Sequence, residues 1–213
     1  MARIITPASP NLPLGTEQYE RRYQDQFTNV LRLYFNQLKN ALSLLFGRRG
    51  MQYLDAPYAA IQRTTDKTFT ADTATQITFD QNDFLNGCLN DGTDGIRVEQ
   101  PGIYNYQFSV QLRNSDTQIH SAWIWLRVNG VDIAGTGSKF DVVSSHGGVD
   151  GFVIAACNFY VQLSTGDTIE MWAAVNNVAV TFDATNAITS PFPMPAIPSV
   201  VATLSFVSAL PTA

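Results

Sequence analysis

Pro101-Gly-Ile-Tyr-Asn-Tyr-Gln-Phe-Ser-Val-Gln-Leu112 decides the fold. Tyr104, Tyr106, Phe108, Val110 and Leu112 fall on one face of an extended chain, and Asn105, Gln107, Ser109 and Gln111 on the other. A period of two marks a strand with one buried face. The surrounding sequence repeats the theme: Ile77-Thr-Phe-Asp80, Asn90-Asp-Gly-Thr-Asp-Gly95, Trp123-Ile-Trp-Leu-Arg-Val-Asn-Gly130 and Thr165-Gly-Asp-Thr-Ile-Glu-Met-Trp172. The pattern predicts strands near 75–80, 95–99, 102–113, 119–129, 131–135, 151–163, 168–176, 178–184 and 199–208. Turn signals separate them, among them Pro101-Gly, Asn129-Gly130, Gly147-Gly148 and Gly166-Asp167. Many short strands of this kind make a sandwich or barrel, and their order points to an antiparallel jelly roll.

The segment before this β region has a different character. Residues 1–15 read as an extended arm, because Pro7, Pro10 and Pro13 exclude a helix or a sheet interior. Ile4, Ile5, Leu12 and Leu14 make it too apolar for a free linker. One long α-helix is expected over 16–47, with Thr16 as N-cap, Glu17 and Glu20 in the first turn, and Gly47 at the end. Phe27, Leu31, Tyr34, Leu38, Ala41 and Leu45 recur at steps of four and three, which is a helical seam. Val30, Leu33, Phe35, Leu42 and Leu44 widen the apolar surface to a second face. One face suits copies of the helix and the other a different surface; packing on the chain's own sandwich is the alternative. Residues 48–74 read as a connector and 75–213 as the jelly-roll head.

The 213 residues carry a net charge of −5, unevenly placed. Residues 1–63 hold eight Lys/Arg against four Asp/Glu, net +4, which leaves −9 for the rest. Such asymmetry suggests two parts with different neighbours. Charged residues are only 15% of the chain, so much of the surface is uncharged or covered. Cys157, in the apolar run Phe152-Val-Ile-Ala-Ala-Cys157, is expected to be a buried thiol, and Cys88 to sit in a loop. Two cysteines make no disulfide framework, although a bridge between them stays open. The sequence shows no signal-peptide pattern and no apolar run of membrane-spanning length, so a soluble protein made in a cytosol is expected, with no membrane insertion.

The order of these motifs resembles the TNF-like jelly rolls, and in particular the globular head of the complement first component. The resemblance covers residues 75–208. It rests on Ile77-Thr-Phe-Asp80, the Asn-Asp-Gly loop leading to Gly95-Ile-Arg-Val, Pro101-Gly-Ile-Tyr104 and Leu126-Arg-Val-Asn-Gly130. Val161-Gln-Leu-Ser-Thr-Gly-Asp167, Thr168-Ile-Glu-Met-Trp172 and Ala202-Thr-Leu-Ser-Phe206 complete it. The family forms trimers whose aromatic faces meet on a three-fold axis, and its members bind proteins or glycans through exposed loops. The resemblance therefore implies a homotrimer. Asn11-Leu-Pro-Leu-Gly, Tyr19, Tyr23 and Asn29-Val-Leu-Arg-Leu-Tyr-Phe-Asn-Gln-Leu38 look like the leader of virion proteins in marine tailed bacteriophages. That second resemblance implies attachment to a particle, with the virion as location.

Catalytic and cofactor chemistry finds little support. His120 and His146 have no partner at metal-ligand spacing, and there is no Gly-x-Ser-x-Gly nucleophile elbow. Asn90-Asp91-Gly-Thr-Asp94-Gly has the composition of a calcium loop but lacks the ligand spacing, and turn chemistry explains it better. Arg48-Arg49 is too short for a nucleic-acid footprint. No enzyme, metal or cofactor is expected. Leu12, Leu14, Tyr19, Tyr23, Phe27, Leu31, Tyr34 and Leu38 are the expected virion-docking residues. Tyr104, Tyr106, Trp123, Trp125 and Trp172 are expected at the trimer interface. His146, in Ser144-Ser-His-Gly-Gly148, and Phe192 and Met194, in Pro191-Phe-Pro-Met-Pro-Ala-Ile-Pro198, are the candidate receptor contacts. The expectation is a trimeric tail-fibre or tail-appendage component that binds a host-surface glycan or protein. A trimeric capsid decoration protein is the alternative.

Overall fold

The structure is a computed structural model that describes residues 7–14, 20–46, 56–90 and 95–210. The chain divides into two compact units, Met1–Asp55 and Ala56–Ala213. In the first, a stretch without regular secondary structure at 7–14 precedes helix α1 (Arg21–Phe46). Its 26 residues span about 39 Å at 1.5 Å per residue. The Glu20 carbonyl accepts the Gln24 N–H at 3.2 Å and opens the helical ladder. Thr16, Glu17, Tyr19, Gly47 and Arg48-Arg49 lie outside the described residues. Tyr23, Phe27, Val30, Leu31, Tyr34, Leu38 and Ala41 are each half-buried, at the spacing of one helical face. Leu33, Phe35 and Leu42 are exposed.

The second unit is all β. Its strands are β1 (Tyr58–Arg63), β2 (Thr75–Ile77), β3 (Gln81–Asn86), β4 (Cys88–Leu89), β5 (Ile96–Val98), β6 (Gly102–Asn114) and β7 (His120–Val128). They continue as β8 (Val131–Asp132), β9 (Ser138–Val142), β10 (Gly151–Leu163), β11 (Thr168–Val175), β12 (Val180–Phe182) and β13 (Val200–Ser208). Sheet A has the order β10-β6-β13-β1-β3, with β12 also beside β6. Sheet B has the order β4-β5-β11-β7-β8, with β2 beside β11 and β9 beside β7. Every pairing is antiparallel. The result is a two-sheet antiparallel sandwich, compatible with a jelly roll, with one helix among the described residues.

The inner faces meet in one core. Sheet A contributes Ile61, Tyr104, Tyr106, Leu112 and Leu204, and sheet B contributes Ile77, Ile124, Leu126, Ile169 and Met171. Each such side chain contributes about 1.5–3 kcal/mol on burial. Asn114 is a buried polar exception. Its amide donates to the carbonyls of Gln118, Val142 and Val143 at 2.8, 3.3 and 3.2 Å, and its oxygen accepts from Asp116 N at 2.9 Å. It ties the end of β6 to the end of β9. Gly151 is a glycine of necessity, since a Cβ there would run into the backbone oxygen of Val143.

Several elements depart from expectation. Strand β1 lies inside the stretch read as a connector, and β3, β4 and β9 lie in stretches read as loops. The cysteines reverse their expected roles. Cys88 is buried on β4, and burial, aided by the nearby Glu99 charge, pushes its thiol up to about 11. Cys157 is only half-buried, with its Sγ 3.4 Å from Ser138 Oγ. Both thiols are free.

Candidate functional site

Strand pairing sorts the outward side chains of sheet A into rows. One row runs Asn158, Gln107, Thr203, Ala60 and Phe84; the next runs Ala156, Ser109, Val201 and Gln62; a third runs Tyr160, Asn105, Ser205 and Tyr58. The middle of this face is small and uncharged. Gln107, Ser109, Ala156, Asn158, Val201 and Thr203 line a shallow depression of about 540 Å³ there. Large apolar side chains stand at the margins: Phe152, Ile154 and Tyr160 on β10 are 54, 65 and 67% exposed, and Phe84 on β3 is 67% exposed. Charge lies at the ends: Arg113 with Asp150 and Asp183 near one end, where Asp183 lines a hollow with Phe152 and Ile154, and Asp83 at the far edge. Arg113 pairs with Asp150 at 2.6 Å and Asp183 at 3.3 Å, while Asp83 accepts from Gln62 and Gln81. Depletion of charge around apolar anchors is the composition of an interface core. The face also contains β10, a sheet-edge strand of 13 residues, the kind of edge that proteins blunt with charge, proline or bulges, or cover.

The outer face of sheet B has another chemistry. Trp125 pairs across the ladder with Trp172, Arg127 with Glu170, and Trp123 with Ala174 on one side and Lys139 on the other. Trp125 Nε1–H donates to Asp132 at 2.7 Å, and Trp172 Nε1–H donates to Glu170 at 2.8 Å. Arg127 gives its Nε–H to Asp132 at 2.6 Å and lies 3.9 Å from the Trp172 ring centroid and 5.8 Å from that of Trp125. Lys139 Nζ is 3.0 Å from Asp141 and 5.9 Å from the Trp123 ring centroid. Hydrogen bonding holds both carboxyls below the ordinary carboxylate value, from Arg127 and then Trp125 for Asp132, and from Ser121 and then Lys139 for Asp141.

The five aromatic residues expected at a trimer seam therefore do not form one surface. Tyr104 and Tyr106 are 0 and 1% exposed and point into the sandwich core, where they offer nothing to another chain. Tyr104 donates its hydroxyl to Gln100 O at 2.7 Å and meets Phe206 edge-on at 5.6 Å. Burial pushes its phenol up to about 12, with Cys88 adding to it, and burial raises Tyr106 as well. Trp123, Trp125 and Trp172 lie on the outer face of sheet B. Alternation alone predicted the strands; it could not say which of two aromatic-bearing faces is the inner one.

The expected receptor loops leave the sandwich at neighbouring roots. His146 and Val149 close a hairpin by paired backbone bonds of 2.9 and 3.1 Å around Gly147-Gly148, whose φ values are +60° and +82°. His146 is exposed. Phe192 and Met194 belong to a longer excursion, 184–198, bridged at Thr185–Ile197 and Ile188–Met194. Phe192 is exposed and Met194 half-buried. Arg113, paired with both Asp150 and Asp183, holds the roots of the two loops together. The turn at 91–94 lies outside the described residues.

In the first unit, Asn11, Leu12, Pro13 and Leu14 line a groove with Gln26, Asn29 and Val30 of α1. Leu14 is 91% exposed, and Tyr23 and Phe27 stack at 6.2 Å. Of the expected docking residues, Tyr19 lies outside the described residues.

The polar constellations of the sandwich serve its loops. His120 Nε2 lies 2.8 Å from Asp116, whereas Ser121 Oγ donates to Asp141 at 2.6 Å, so these groups do not form a nucleophile–base–acid relay. Among the described residues no helix is long and apolar enough to cross a membrane, and no group of three or more His, Cys, Asp or Glu is placed to hold a metal. No protein-family model matches the chain, and no curated protein matches it.

Proposed function

We propose that this chain is a bacteriophage virion structural protein: a homotrimer with TNF-like jelly-roll heads, attached to the particle through the N-terminal arm and α1. The observation that carries the assembly reading is the outer face of sheet A, where Phe84, Phe152, Ile154 and Tyr160 are exposed around a small, uncharged centre. In a cyclic trimer the β10 margin of one copy packs into the depression of the next, which buries the exposed apolar side chains of β10 in the subunit contact. On this reading the subunit contact is made by sheet A rather than by the tryptophans of sheet B. The virion reading draws on the resemblance of residues 11–38 to phage leader modules and on the net +4 of residues 1–63, set against −9 for the remainder. The half-covered seam of α1 and the exposed Leu12 and Leu14 suit a docking segment.

Host-surface binding by a tail fibre or tail appendage is the favoured role. Capsid decoration uses the same arm and the same trimer, and gold labelling of the protein on intact particles separates the two. Label confined to the tail supports the fibre reading; label over the capsid shell overturns it in favour of decoration. Absence of the protein from purified particles overturns both.

A further inference from the structure

Sheet B turns three tryptophans outward, yet their indole N–H groups and the nearby charges are already organised. Trp125 and Trp172 are fixed by hydrogen bonds to Asp132 and Glu170. Glu170 is anchored in turn by the Gly130 N–H at 2.8 Å. Arg127 uses Nε on Asp132, and neither of its terminal amino groups has a protein acceptor among the described residues. The half-buried Arg127 pairs with Asp132 and the exposed Lys139 with Asp141, and the buried Glu170 adds one further acid. Trp123 is 37% exposed beside them. By strand geometry, Trp123 and Trp125 stand about 7 Å apart along β7 and Trp172 about 5 Å away on β11, a patch the size of one or two sugar rings.

This surface asks for a ligand that is apolar on its flat faces and rich in hydroxyls around its rim. A pyranose has that character: its C–H faces lie on indole, and its hydroxyls accept from guanidinium and ammonium and donate to carboxylate. A protein hot spot, equally rich in Trp and Arg, instead sits in a well-packed, fully desolvated pocket, whereas Trp123 stands 37% exposed. These charges together also lack the net attraction that an anionic polymer needs. We infer that the outer face of sheet B is a glycan-binding platform, with a sugar ring on Trp123 and Trp125 and hydrogen bonds from Arg127 and Lys139. This gives the proposed host-binding head its receptor chemistry and rests on that reading only for its biological setting. Sheet A, turned inward by the trimer, leaves this face outward.

The test uses the full chain on an array of neutral and acidic oligosaccharides, followed by tryptophan-fluorescence titration with the best-bound neutral oligosaccharide. The expected result is saturable quenching, weakened at least tenfold by Trp123→Ala and by Arg127→Lys, and largely kept by Trp123→Phe. Each variant should retain the parent's far-ultraviolet circular dichroism and oligomeric mass. Three results overturn the inference: no oligosaccharide bound at millimolar concentration, unchanged binding by Trp123→Ala, or binding confined to acidic oligosaccharides and abolished by salt. Capture of a host protein on this face without glycan binding overturns it too. A negative array with label on the tail sinks the platform and spares the virion reading, and a positive array with no protein on particles does the reverse.

Discussion

Arg127 lies over Trp172 with its guanidinium carbon 3.9 Å from the ring centroid. The contact crosses from β7 to β11, and Asp132 at 2.6 Å from Nε fixes the guanidinium over the ring. Lysine cannot reproduce a planar stack held by a fork of donors. Arg127→Lys should therefore alter the near-ultraviolet circular dichroism of the tryptophans while leaving the far-ultraviolet spectrum unchanged. An unchanged near-ultraviolet spectrum would mean that the stack does not order the indoles.

The same lock should respond to acid in a defined direction. Asp132 is held below its ordinary value of 3.8 by Arg127 and then Trp125, so its stabilising contribution is fully present above the ordinary value. It is lost as pH falls through the lower, folded value. The tryptophan signal should thus be flat from neutral pH to about pH 4 and change only below it. Asp132→Asn should remove that transition, and a transition centred above pH 5 would contradict the assignment.

Asn114 should be among the least replaceable polar residues of the sandwich. Asn114→Leu keeps the approximate size but leaves three carbonyls without their donor and the Asp116 N–H without its acceptor. A loss of about 2–3 kcal/mol in chemical denaturation is expected, since orphaned buried groups are costly. A loss below about 0.5 kcal/mol would show that water replaces the side chain.

Two glycines should separate space from conformation. At Gly151 a Cβ meets the Val143 backbone, which cannot yield without displacing β10, so Gly151→Ala should cost about 3 kcal/mol. At Gly130, φ is +77° and an added Cβ would meet nothing within 4 Å beyond its chain neighbours, so Gly130→Ala should cost only the left-handed strain of about 1 kcal/mol. Thermal melts of the two variants check the order, and equal losses would contradict it.

The long strands were legible because their inward residues alternate without interruption. β6 and β10 each run for 13 residues, and β10 lies where 151–163 predicted it. β1 was not legible: its inward residues are only Ala59 and Ile61, in a stretch that otherwise reads as turn and connector. β3 inverts the usual signal, because as an edge strand it turns Phe84 outward and breaks register between Ala60 and Ile61 of its partner. Cys88 looked like a loop residue because β4 is two residues long, and only the fold shows that its side chain reaches the core. The candidate sites were legible as residue types and not as faces. Sequence spacing put Tyr104 and Trp123 on strands, but only sheet packing separates the core side of β6 from the outer side of β7.

The mass of the full chain in solution, measured by light scattering at about 10 μM, tests the assembly most directly. The expected mass is about 70 kDa, three chains of 23.4 kDa closed by cyclic symmetry. Phe152→Asp with Ile154→Asp should reduce it to 23.4 kDa without unfolding the sandwich, because both side chains point away from the core. A monomeric parent, or a trimer indifferent to that double substitution, would contradict the claim that the outer face of sheet A joins the subunits.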